Sequence, residues 1–274
     1  MIGITRRHAQ DAIKLWVRNT AMIAVISVLT ACGGAQDGGN SGTGSGTSAD
    51  AGSSADTGSD ICAAAQKEPI NPSAQLLVVI VDHTASARTD LAAPPSLSDA
   101  IAKIQAEGVK DEKGSQVQTL GVTASGEFPT IGKPLSLDLN PGKTSPNAEN
   151  LRAKIARDCV SEILKVGGPQ PPGGNTDLLG ALLAAKQQNP QEIVVMSSGL
   201  NSTPQANLTV PPNDPTQVAD SVKQAIPDFA AWSIPVTWFY LGEPKPPLSA
   251  PDRDRVIAFW KVLLGENLNV NTRE

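Results

Sequence analysis

One carboxylate and two hydroxyls stand at alternate positions in Asp82-His83-Thr84-Ala85-Ser86, directly after the apolar run at 76–81. Side chains so spaced at a strand end can turn toward a single point, and hard oxygens of this kind suit Mg²⁺ or another hard divalent cation. The same side chains also have a plainer use, satisfying loop backbone donors where the strand stops. His83 occupies an intervening position from which an imidazole can reach a ligand.

Nucleophilic and phosphate chemistry have less to work with. His8 lies near the amino terminus, so a triad built on histidine must use His83, and no Gly-x-Ser-x-Gly elbow surrounds a nucleophile. Thr84 stands where an Asp-x-Asp phosphatase motif needs its second carboxylate. Neither Gly-x-x-x-x-Gly-Lys nor Gly-x-Gly-x-x-Gly follows the first apolar run. The chain reads as a binding module rather than an enzyme, with a cell-envelope hydrolase using Asp82 and His83 as an alternative.

The amino terminus predicts export from the cytoplasm. Arg6, Arg7, Lys14 and Arg18 precede a short apolar run at 21–29, too brief to span a bilayer as a helix, and Leu29-Thr30-Ala31-Cys32-Gly33 follows. That order looks like a bacterial lipoprotein signal, which implies removal of residues 1–31, a lipid on Cys32 and an extracytoplasmic domain anchored to the membrane by that lipid alone. Residues 33–60 hold no aliphatic side chain larger than Ala, so 32–61 is expected to be a flexible Gly/Ser-rich tether to a domain at 62–274. With Cys32 lipidated, Cys62 and Cys159 remain as an even pair in an oxidising compartment and are expected to form a disulfide.

Buried elements must hold the Asp82 loop in place. The continuous apolar runs at 76–81, 193–196 and 236–241 predict strands covered on both faces of a parallel sheet. Segments 117–122 and 135–139 predict a hairpin that adds one antiparallel edge. A stripe of Leu151, Ile155, Cys159 and Ile163 predicts a helix with Cys159 toward the core. Thr176 offers a capping hydroxyl to a helix at 177–186, Asp214-Pro215 opens one that Pro227 closes, and Ser249-Ala-Pro-Asp252 opens one that ends at Gly265. The alternation of strands and helices over 75–265 predicts a doubly wound α/β fold with helices on both faces, whose ligands bind beyond the carboxyl ends of the strands.

In that setting the loop motifs resemble the metal-ion-dependent adhesion site of von Willebrand factor A domains. That site begins with Asp-x-Ser-x-Ser after the first strand, which Asp82, Thr84 and Ser86 match with Thr for the first Ser. The resemblance further implies a ligand hydroxyl at Thr176, in Gly173-Gly-Asn-Thr176, and a third position at Ser198, in Val194-Val-Met-Ser-Ser198-Gly199, where the family usually has Asp. With Ser198 there, a single carboxylate offsets half the charge of a divalent cation, so the implied Mg²⁺ is bound weakly. The implied function is binding of a protein partner that presents an acidic side chain; a metal-independent scaffold domain is the other binding reading.

Charge narrows the partners further. The whole chain carries −5, but beyond residue 31 it holds 18 basic against 26 acidic groups, or −8. Such a surface repels phosphate backbones, and no run of Lys or Arg overrides it, which excludes nucleic acid as a partner.

Overall fold

Apolar runs that the sequence marks as doubly buried become neighbours at the middle of one sheet. The computed structural model describes residues 57–83, 95–122, 129–164 and 176–271. The leader, Cys32 and most of the expected tether lie outside these residues. In chain order the elements are α1 (Thr57–Lys67), β1 (Gln75–Val81), α2 (Pro95–Lys110), β2 (Ser115–Gly121), β3 (Thr130–Ile131), β4 (Leu135–Ser136), α3 (Pro146–Asp158), α4 (Val160–Leu164), α5 (Leu178–Gln187), β5 (Glu192–Met196), α6 (Pro215–Ala225), α7 (Pro227–Ala230), β6 (Val236–Phe239), α8 (Ala250–Leu264) and β7 (Leu268–Asn271).

The sheet runs β3-β2-β1-β5-β6-β7, with β4 also pairing β2. All pairings are parallel except those of β3 and β4 with β2, so the expected antiparallel edge is present, split into two short pieces. From β1 the chain first moves outward to β2, and later returns to the other side of β1 to build β5, β6 and β7. Parallel crossovers share one hand, so moves in opposite directions put their helices on opposite faces. One face packs Val78 and Ile80 of β1 against α5, α6, α7 and α8. The other packs Leu77, Val79 and Val81 against α1, α2, α3 and α4. The fold is a doubly wound α/β sheet, and each fully buried aliphatic side chain stabilises it by about 1.5–3 kcal/mol.

Several elements depart from the sequence expectation. The helix through 151–163 breaks at Cys159, which caps α3 and starts α4. The strand expected over 135–139 stops at Ser136, because Asp138 leaves the ladder to accept the backbone N–H of Asn140 at 2.8 Å and to pair with buried Arg152 at 3.0 Å. The strand expected to reach 241 stops at Phe239, where Tyr240 takes a positive φ of 67°. Helices α1 and α2 and strand β7 were not anticipated, and α1 begins at Thr57, inside the expected tether.

Cys62 and Cys159 form the expected disulfide, with Cα atoms 5.4 Å apart and a sequence separation of 97. It ties α1 to the end of α3 within the core of that face. Among the described residues no helix is long and apolar enough to cross a membrane.

Candidate functional site

The point at which strand order reverses lies between β1 and β5, and in open parallel sheets the crevice beyond that point receives ligands. Register decides which side chains meet there. Val81 pairs with Met196, so the next residues, Asp82 and Ser197, stand opposite one another. Both continue the positions of Val78 and Ile80, and of Ile193 and Val195, that point to the α5–α8 face. The Ser197 hydroxyl donates to Asp82 Oδ2 at 2.6 Å, and the Asp82 N–H donates to the Met196 carbonyl at 3.0 Å. Asp82 is fully buried, and a buried carboxylate needs donors or a cation to offset its lost hydration.

Sequence reasoning singled out Ser198 and passed over Ser197. One residue further along the strand end, Ser198 has the opposite parity. It is buried, its carbonyl accepts from the Gly242 N–H at 2.9 Å, and its hydroxyl has no hydrogen-bond partner. An unsatisfied buried hydroxyl costs about 1–3 kcal/mol, which makes Ser198 Oγ a group with capacity for a ligand.

Tryptophans hold this turn from behind. Trp238 of β6 donates from Nε1 to the Ser197 carbonyl at 2.8 Å, and Trp260 of α8 donates to the Gly199 carbonyl at 2.9 Å. The two rings lie 4.6 Å apart, and Phe259 meets Trp260 edge-on at 5.0 Å. Gly199 has φ +79°, and a Cβ there would come within 2.4 Å of Leu241 Cδ1 and 3.0 Å of Trp260 Nε1, so the position needs glycine both for its backbone and for space.

Thr176 and Asp177, just ahead of α5, bond to the turn that follows β5 or to the helix start. Thr176 is buried; its N–H donates to Ser202 Oγ at 2.5 Å and its carbonyl accepts from the Ser202 N–H at 2.8 Å. The helix cap expected of Thr176 is supplied instead by Asp177, whose Oδ1 accepts the Gly180 N–H at 2.7 Å. Asp177 has the shorter reach from the right position, since a cap must bond the N–H two or three residues on. A second acceptor for the helix start comes from the far loop: Asn201 Oδ1 takes the N–H groups of Leu178 and Leu179 at 2.8 and 3.3 Å. Neither Ser197 nor Asn201 was foreseen. The alternation of 193, 195 and 197 against 78, 80 and 82 is a signal that finds Ser197, whereas Asn201 leaves no periodic trace.

The structure thus brings Asp82, Thr176 and Ser198 onto loops at one end of the sheet and links those loops through Ser197 and Ser202. Half-buried His83 follows Asp82. Thr84 and Ser86 lie outside the described residues. Among the described residues no group of three or more His, Cys, Asp or Glu side chains gathers as around a metal ion. The donor set in question has another composition, one carboxylate with hydroxyls.

No family model matches the chain, and no curated protein is significantly similar to it. Among solved structures, proximal thread matrix protein 1 from the mussel byssus aligns with a TM-score of 0.27 and 10% identical residues, over 72% of this chain and 43% of that one. This chain therefore spans less than half the length of that protein.

Proposed function

We propose that this chain is a membrane-tethered extracytoplasmic binding module, similar to von Willebrand factor A domains, that takes an acidic side chain of a protein partner beyond β1 and β5. In this reading a lipid on Cys32 holds it at the membrane. Mg²⁺ or another hard divalent cation, weakly held by Asp82 with the hydroxyls of Thr84, Ser86, Thr176 and Ser198, links it to the partner. The observation that carries the reading is the buried Asp82 carboxylate at the reversal of strand order. The donor chemistry fits, since carboxylate and hydroxyl oxygens are the ligands such cations take, and the unsatisfied Ser198 hydroxyl is a further oxygen at this end of the sheet. A bound cation would supply positive charge to a partner carboxylate. The protein's own part is to aim the Asp82 carboxylate, through the Ser197 hydrogen bond.

One observation favours the metal-independent scaffold as a second reading: Ser197 already occupies one oxygen of Asp82. Calorimetric titration with Mn²⁺ separates the two. Weak binding is expected in the native chain, stronger binding in Ser198→Asp, and none in Asp82→Ala. If Ser198→Asp binds no Mn²⁺ at millimolar concentration, the metal reading fails and the scaffold reading replaces it. Mass analysis of the native protein tests the anchor, the expected result being an amino terminus at a lipid-modified Cys32.

A further inference from the structure

The side chain of Asn201 is fully buried between two of the loops that form the candidate site, and all four hydrogen-bonding positions of its amide are used. Oδ1 accepts the otherwise unpaired N–H groups of Leu178 and Leu179 at the start of α5. Nδ2 donates to Thr203 Oγ1 at 2.9 Å and to the Ala206 carbonyl at 2.6 Å. The Asn201 main chain is held as well: its N–H donates to the Gly199 carbonyl at 3.0 Å, and its carbonyl accepts from the Leu208 N–H at 2.7 Å. The neighbouring Ser202 makes the paired bonds to Thr176. No other uncharged side chain of this size supplies two acceptor and two donor sites in that arrangement. A leucine fills the volume and leaves four polar partners without the Asn201 amide, and an aspartate keeps the acceptors while facing the Ala206 carbonyl with a negative charge.

We infer that Asn201 is a positioning residue for the site: its buried amide locks the turn carrying Thr176 to the turn carrying Ser198, so that both loops meet a ligand as one body. The role rests on the binding function proposed above. It differs from mere support of the fold, because it requires ligand affinity to fall when the lock is removed from protein that is still folded. Residues that orient metal ligands in this way are worth about 10–100-fold in metal affinity.

The test uses the full chain and Mn²⁺ as the probe, in the native and Ser198→Asp backgrounds, at a temperature where every variant is fully folded. Asn201→Ala is expected to weaken Mn²⁺ binding by about 10-fold or more. It should also speed amide exchange at Leu178 and Leu179, leaving exchange in β1 as it was. Unchanged Mn²⁺ affinity in folded Asn201→Ala overturns the inference and leaves the metal reading standing. Absence of Mn²⁺ binding in both backgrounds overturns the metal reading and this inference with it. If Asn201→Ala does not fold, Ser202→Ala decides by the same titration: weakening by several-fold supports the inference, and unchanged affinity overturns it.

Discussion

Gly199→Ala tests whether the turn behind the site is fixed by crowding as well as by backbone conformation. The backbone cost follows from φ +79°, a left-handed value that costs an L-residue about 1–2 kcal/mol. The steric cost follows from the new Cβ, which would lie 2.4 Å from Leu241 Cδ1 and 3.0 Å from Trp260 Nε1, and overpacking of this kind adds about 1–3 kcal/mol. Their combination predicts a loss of about 2–5 kcal/mol. Gly142 is the control, because its φ is +72° while the nearest atom to a Cβ there is Glu112 Cβ at 3.5 Å, so Gly142→Ala should lose only the backbone part, about 1–2 kcal/mol. The assay is urea unfolding of the full chain. Leu241→Ala added to Gly199→Ala should recover part of the loss, since it removes the closest contact, and the two changes should then be less than additive. Equal losses in Gly199→Ala and Gly142→Ala, or strict additivity with Leu241→Ala, would refute the steric argument.

Reducing and alkylating Cys62 and Cys159 should lower stability by about 4–5 kcal/mol in the chain-entropy model for a loop of 97 residues, and raise the denaturant slope as the unfolded chain expands; guanidinium unfolding with and without reductant measures both. Arg152→Ala should cost about 3–5 kcal/mol, because it leaves the buried Asp138 carboxylate without its guanidinium and takes the Arg152 donor from the Lys143 carbonyl and one of two donors from the Asn140 carbonyl; a loss below 1 kcal/mol by urea unfolding would contradict this. The hydrogen bond from Lys103 to Glu192 at 2.7 Å, with their charge attraction, raises the Lys103 pKa above its ordinary value against the opposing effect of burial. Its contribution is therefore fully present below the ordinary lysine value and lost as pH rises through the folded one. Stability of native chain and Lys103→Gln should differ by a constant amount at neutral pH and converge at strongly alkaline pH.

Legibility in the sequence followed how each element is buried. β1 and β5 are covered on both faces, so beyond Gln75 and Glu192 at their starts their residues are apolar without interruption and stood out, and α6 and α8 announced themselves through Asp214-Pro215 and Ser249-Ala-Pro. α2 was also legible, since Leu97, Ala100, Ile101 and Ile104 follow the i, i+3, i+4, i+7 spacing of one buried helix face. α1 follows the small residues of the tether and buries Ile61, Cys62 and Ala65; tertiary contacts and the disulfide hold it, and propensity gives little sign of it. Strands of two residues, β3 and β4, are too short to show a period. In the candidate site, Asp82 stands out by type and spacing at a strand end, whereas Thr176 enters as a ligand only through the family resemblance. Ser197 is legible only through the parity of the strand, and Asn201 not at all, because Leu178 and Leu179, whose N–H groups it accepts, lie more than twenty residues away.

The bond between Cys62 and Cys159 also decides how the domain carries mechanical load. A pull on the chain ahead of α1 passes at Cys62 straight into Cys159, so the 97 residues of sequence separation, including β1, α2, β2 and α3, lie off the line of force. Their extended length is about 330 Å at roughly 3.4 Å per residue, and none of it can be drawn out while the bond holds. Under tension the domain thus has two contour lengths, and the redox state of its surroundings selects between them.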